Sequence, residues 1–267
     1  MCSELIQLEI ESGIATIFLN RPEKHNAMND DMRTQFISAL EQVSADPEIR
    51  ALILTGNGRG FCAGGDIASM ERRLNVPAGE VGFNGWRRQQ HVHYTQSLLH
   101  TMPKPTIAAV NGVAAGLGAD TSLACDFVIA SSEANFTWSY VARGLVPDGG
   151  GMYLLPRRVG LSKTKELIFS GRKVDAAEAL SIGIADRLSS PETLLADARA
   201  WAIELSKGSR TALALSKTIV NQSFELSAEQ IFAQESQAQG ICYTSNEHRE
   251  SVMAFLEQSI GKSKGKA

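Results

Sequence analysis

The chain has 267 residues, of which 43% are hydrophobic and 21% charged, and a formal net charge of −3 at pH 7. That length buries a sizeable core and suits one large α/β domain with a smaller helical part appended. The charge balance offers no basic surface for nucleic acid, the basic run Lys262 to Lys266 reads as a solvated tail, and no apolar run of about 18 residues or signal-peptide pattern marks a membrane span or export.

In chain order, strand-like apolar runs at 5–10, 14–19, 51–55, 106–110 and 127–130 alternate with helical stretches at 29–44, 67–74, 86–100 and 117–124. Such alternation reads as βαβ units. Residues 75–90 (NVPAGEVGFNGWRRQQ) form a long Pro/Gly-rich connection, expected to be a disordered loop or a functional lid. Beyond residue 160 strand signals largely stop, and 162–170, 175–182, 191–206, 209–221, 227–240 and 247–260 all read as helices. No internal repeat or low-complexity linker is visible.

Two glycine-punctuated segments carry the chemistry: Phe61-Cys62-Ala63-Gly64-Gly65-Asp66, and Asn111 through Asp120 (NGVAAGLGAD). Each begins a few residues after an apolar strand run. Glycine lets backbone approach a ligand closely, and a loop turning into a helix offers unpaired N–H donors, so two such loops suit one developing oxyanion. Gly58 to Ala63 also forms a degenerate G-x-G-x-x-A nicotinamide pattern, but no helix opens directly on it. Cys2, Cys62, Cys125 and Cys242 lack metal-ligand spacing, and Cys62 and Cys125 sit in apolar stretches. A reducing, cytoplasmic setting is the expectation.

FCAGGD, followed by KPTIAAVNGVAAGLGADTSLACDFVIA (104–130), resembles the signature of the crotonase, or enoyl-CoA hydratase/isomerase, superfamily. The resemblance covers nearly the whole chain, through LNRPEKHNAMND (19–30), GLVPDGGGMYLLPRRVG (144–160), FSGRKVDAAEALSIGIADRL (169–188) and EHRESVMAFLE (247–257). It implies an α/β spiral of ββα turns over residues 1–195. A C-terminal all-helical region over 196–267 would build a homotrimer, often doubled to a hexamer. It implies an acyl-CoA thioester as substrate, with no further cofactor and no metal, and oxyanion donors at the backbone N–H of Gly65 and Leu117. Coenzyme A would lie along the 21–27 turn, near Arg21, Lys24, Ala27 and Ala63, although Arg21 and Lys24 also read as ordinary surface cations.

Hydratases of the family carry two catalytic glutamates, and the corresponding positions here are Asp120 and Tyr140. Water addition needs one carboxylate to deprotonate water while the pair delivers a proton to carbon, so loss of the second argues for isomerisation. Asp148, in GLVPDGGG, occupies a position that is aspartate in dienoyl-CoA isomerases, phenylacetate-pathway epoxide/oxepin-CoA isomerases and an aryl-CoA dehalogenase. Pro-Asp-Gly is equally a turn signal, and Asp120 suits a first helical turn whatever its function. Apolar neighbours of Asp120 should raise its pKa. Tyr140 reads as a packing aromatic or a proton donor, Phe136 and Trp138 as an aromatic wall around the acyl group, and at most one of His91 and His93 as reaching the pocket. The expected activity is enoyl-CoA isomerase. Enoyl-CoA hydratase is the alternative, with aryl-CoA dehalogenase or a non-catalytic crotonase-fold binding protein further off.

Overall fold

The structure, a computed structural model, describes residues 4–264, with the side chains of residues 73, 74, 78 and 258–264 outside that description. Cys2 and the side chains of the Lys262 to Lys266 run therefore fall outside it. The chain divides after Leu205 into two compact units.

The first unit opens with an antiparallel hairpin of β1 (Ile6–Glu11) and β2 (Ile14–Leu19), whose two turn residues Ser12 and Gly13 have φ of 51° and 76°. Two positive φ values make the tight turn that matches strand twist. Helix α1 (Asp30–Ala45) follows, started by Asn29, whose side chain accepts from the Met32 N–H at 2.8 Å. Three turns of a spiral come next. β3 (Ala51–Gly56) and β4 (Gly60–Cys62) lead to α2 (Ile67–Leu74) and α3 (Ala78–Thr101). β5 (Thr106–Val110) and β6 (Val113–Ala115) lead to α4 (Leu117–Ala124). β7 (Phe127–Ser131) and β8 (Asn135–Thr137) lead to α5 (Gly151–Ser170). β9 (Val174–Asp175), α6 (Ala176–Ile182), β10 (Arg187–Ser189) and α7 (Leu194–Leu205) complete the unit.

Each turn thus lays one strand in a six-stranded sheet, ordered β1-β2-β3-β5-β7-β10, and one in a four-stranded sheet, ordered β4-β6-β8-β9. The ββα spiral is as expected. Beyond the hairpin the large sheet is parallel and buried on both faces, which explains its unbroken apolar runs. Leu52 and Leu54 of β3 face the main core, while Ala51 and Ile53 face Ala198, Trp201 and Ala202 of α7.

The 75–90 stretch is not a loop for most of its length: residues 78–90 form the first half of α3, which Pro77 opens. A Cβ on Gly79, Gly82 or Gly85 would meet nothing within 4 Å, and three glycines dilute helical propensity enough to hide the pattern. Strands also continue past residue 160, as β9 and β10, and β4, β6 and β8 were not legible because two or three residues carry no periodicity. Helix α5 begins at Gly151 and breaks at Gly160 (φ 77°, ψ 165°), so the expected 162–170 helix is its second segment.

The second unit consists of α8 (Arg210–Val220), α9 (Ala228–Tyr243) and α10 (Asn246–Lys264). Ser227 and Gln230 close a reciprocal capping box at the start of α9. No residue of α8 or α9 is buried, and Phe224, Phe232 and Phe255 are all exposed. No described helix is long and apolar enough to cross a membrane.

Candidate active site

Strands β4, β6 and β8 are neighbours and parallel, so the chain leaves all three at the same edge of the small sheet. β4 runs out into Ala63-Gly64-Gly65-Asp66, β6 into Gly116-Leu117, and β8 into Trp138-Ser139-Tyr140. Met28 bridges to Gly65 in parallel: the Met28 N–H donates to the Gly64 carbonyl at 2.7 Å, and the Asp66 N–H to the Met28 carbonyl at 3.1 Å. That pattern leaves the N–H of Gly65 without a partner among the described residues. The N–H of Leu117, first residue of α4, also has none, because the intrahelical ladder has not yet begun there.

The two loops lie against each other. A Cβ on Gly64, where φ is 97°, would stand 2.7 Å from the Ala115 carbonyl and 3.6 Å from the Leu117 nitrogen, and one on Gly118 would fall on the Cys62 carbonyl. Gly118→Ala, favourable for an isolated helix, is therefore expected to destabilise this one by about 1–3 kcal/mol through overpacking. A lower denaturant midpoint with unchanged m-value would register it.

Asp120, in α4, is fully buried. The Trp138 Nε1–H donates to its Oδ1 at 2.8 Å and the Tyr140 hydroxyl to its Oδ2 at 2.6 Å. Burial pushes the carboxyl up to about 7, against the lowering effect of those two donors, with the nearby charge of Asp148 adding to the rise. Burial and the Asp120 charge push the Tyr140 phenol far above its ordinary value, so it stays a donor. A Cβ on Gly149 would lie 2.7 Å from Asp120 Oδ2, and one on Gly151 would fall on Oδ1. The glycines after Asp148 thus let the chain close over a carboxylate, which Pro-Asp-Gly turn chemistry alone does not require.

The Asp148 side chain is 30% exposed and is gripped from α3: its Oδ2 accepts from Gln89 Nε2 and lies 3.6 Å from Arg88 Nη2. His93 Nε2 lies 3.1 Å from the Asp148 carbonyl oxygen. His91 sits on the wall of a neighbouring cleft. Both histidines are exposed, and of the two it is His93 that contacts Asp148. Phe136 is core, and Trp138 is fully buried as a partner of Asp120, so neither forms an acyl wall. Gln89 and Arg88 carry no sequence signal of their own, and Trp138, expected as an acyl wall, is instead a donor to Asp120.

On the other side, Arg21 donates from Nη1 to Asp66 Oδ2 at 2.6 Å and to the Ala27 carbonyl at 3.0 Å. Burial raises the Asp66 carboxyl, but the bonds from Arg21 and Ser69 outweigh it and hold the group below its ordinary value. Arg21 is therefore a strut between the 21–27 turn and the first glycine loop. The Ala63 N–H donates to the His25 carbonyl at 2.9 Å, and Lys24 is exposed. Cys62 is buried and its thiol pushed up to about 11 by that burial, so no thiolate is available beside the loops at neutral pH.

The parallel-stranded spiral of this α/β protein thus gathers, at one edge of the small sheet, two backbone N–H groups without partners among the described residues, a buried carboxylate and a second carboxylate held by polar side chains. The family model described as enoyl-CoA hydratase/isomerase matches residues 9–264, and the chain belongs to that family. It is 35% identical over 259 residues to a crotonyl-CoA hydratase of Syntrophomonas wolfei, covering 97% of each. It is 36% identical over 263 residues to a 1,2-epoxyphenylacetyl-CoA isomerase of Escherichia coli, covering 98% of this chain and 99% of that protein. A crystal structure of an enoyl-CoA hydratase/isomerase from Cupriavidus metallidurans superposes with a TM-score of 0.89 at 34% identity, covering 97% of this chain and 95% of that one.

Proposed function

We propose that the protein is an acyl-CoA isomerase that moves a double bond through a thioester enolate. The Gly65 and Leu117 N–H groups receive the thioester oxygen as it gains charge, and each such donor contributes about 3 kcal/mol to transition-state stabilisation. Asp148 removes a proton from one carbon and returns it to another, and Asp120 exchanges protons with it through the site. Tyr140 keeps its hydroxyl on Asp120 and tunes that exchange. Lys24 is the exposed cation available to a coenzyme A phosphate, while Arg21 shapes the turn and Ala27 and Ala63 supply backbone along the pantetheine. The uncovered aromatic residues of the second unit favour self-association as a trimer or hexamer, which sedimentation equilibrium measures.

One observation carries the choice of isomerisation: where water addition needs a second buried carboxylate, Tyr140 donates to Asp120 instead. Hydration remains the second reading, because the Syntrophomonas relative and a 34% identical protein of Clostridium acetobutylicum are both named as hydratases. A panel of 2-enoyl, 3-enoyl, dienoyl and arylacetyl thioesters followed by mass spectrometry separates the two, since hydration adds the mass of water and isomerisation does not. Crotonyl-CoA should be hydrated slowly by the native protein, and faster by Tyr140→Glu. Native hydration with kcat well above about 10 per second would reverse the assignment.

A further inference from the structure

Next to Arg88, which reaches Asp148, a cleft of about 520 Å³ runs between α1 and the first half of α3, walled by Arg33, Arg87, Arg88 and His91 and by the apolar Val76 and Val81, with Asp30 at its edge. Arg33 also lines a narrow cavity with Met28, Gln96, Leu117 and Thr121, so it stands between the cleft and the loop that carries the Leu117 N–H. Its side chain is 5% exposed, and the acid it pairs with at 2.7 Å, Asp30, is 65% exposed and well solvated. Two further polar atoms nearby, Arg88 Nε and Gln96 Oε1, are buried without hydrogen-bond partners.

Val76 and Val81 suit a hydrocarbon chain, but such a chain gives no reason for the buried Arg33 at the cleft's inner end. Burying a guanidinium costs free energy unless an anion or several acceptors meet it, and a pocket for an alkyl chain is served better by Leu or Met. The planar fork of arginine matches a carboxylate with two parallel hydrogen bonds. We propose that the cleft holds a carboxylate at the far end of the acyl chain, with Arg33 as the residue that selects it and Arg87 adding long-range attraction. The substrate class is then a dicarboxylic acyl thioester. This rests on the acyl-CoA reading above, but not on which reaction follows.

Binding of saturated thioesters tests it without turnover. Calorimetry with adipoyl-CoA and suberoyl-CoA, against hexanoyl-CoA, octanoyl-CoA and free CoA, should show at least one diacid bound about 10- to 100-fold tighter than its neutral counterpart, the range for hydrogen bonds to a charged group. Arg33→Met should collapse that ratio towards one, Arg33→Lys should retain part of it, and Arg87→Gln, at an exposed site that folding does not depend on, should reduce it severalfold. Equal native affinity for diacid and neutral thioesters overturns the inference and leaves the acyl-CoA reading standing. If Arg33→Met weakens free CoA as much as the diacids, the cleft serves nucleotide phosphate and the inference is again overturned. Absence of binding to every thioester and to CoA removes the acyl-CoA reading and the inference with it.

Discussion

Asp148→Asn is expected to lower turnover by about 10²- to 10⁴-fold, the range for loss of a general acid or base, while the protein folds normally. The asparagine amide keeps the turn propensity of the site. Gln89, whose Nε2 donates to Asp148 Oδ2 in the native structure, can donate in the same way to the asparagine carbonyl. The substitution therefore removes basicity more than shape. Recovered substrate should lose its deuterium uptake from heavy water in parallel with turnover, since both depend on the same proton removal. Turnover near the native value on every thioester would make Asp148 a turn residue held by α3 and nothing more.

The glycine loops were legible because glycine placement is local: FCAGGD and NGVAAGLGAD announce close backbone approach whatever surrounds them. The register of the buried carboxylate was legible too, since Asp120 sits among apolar neighbours in its own helix. What the chain does not announce is which side chain meets it across space. Trp138 is 18 residues from Asp120 and reads as an apolar wall for the acyl group, yet its indole N–H is donated to Asp120 Oδ1. Arg21 looks like a surface cation before phosphate, and only the fold brings it to Asp66. Arg33 looks like the polar face of an amphipathic helix, and only the fold sets it beside Val92, Gln96 and Leu117. Each miss is a long-range pairing or a helix of weak local propensity, where tertiary packing overrides the signals that sequence periodicity reads.

Asp120→Asn is expected to reveal itself in pH dependence as much as in rate. The carboxyl rises to about 7 on folding, because burial disfavours its charge. The native state therefore holds a proton that the unfolded chain has released between pH about 4 and about 7, and stability contributed by this residue falls as pH rises through that window. A shift of roughly three units corresponds to on the order of 4 kcal/mol. Urea unfolding of native protein and Asp120→Asn at pH 4.5 and pH 8 should show the difference in stability moving in favour of the variant at the higher pH, by an amount of that order. In kinetics, kcat/KM of the native protein should bend with an apparent pKa near 7, reporting ionisation of the free enzyme. Asp120→Asn should abolish that bend and lower turnover by about 10²-fold or more if the two carboxylates exchange the proton. Should the bend persist in the variant with the same apparent pKa, the titrating group lies elsewhere. Asp120 would then be a structural acceptor for Trp138 and Tyr140.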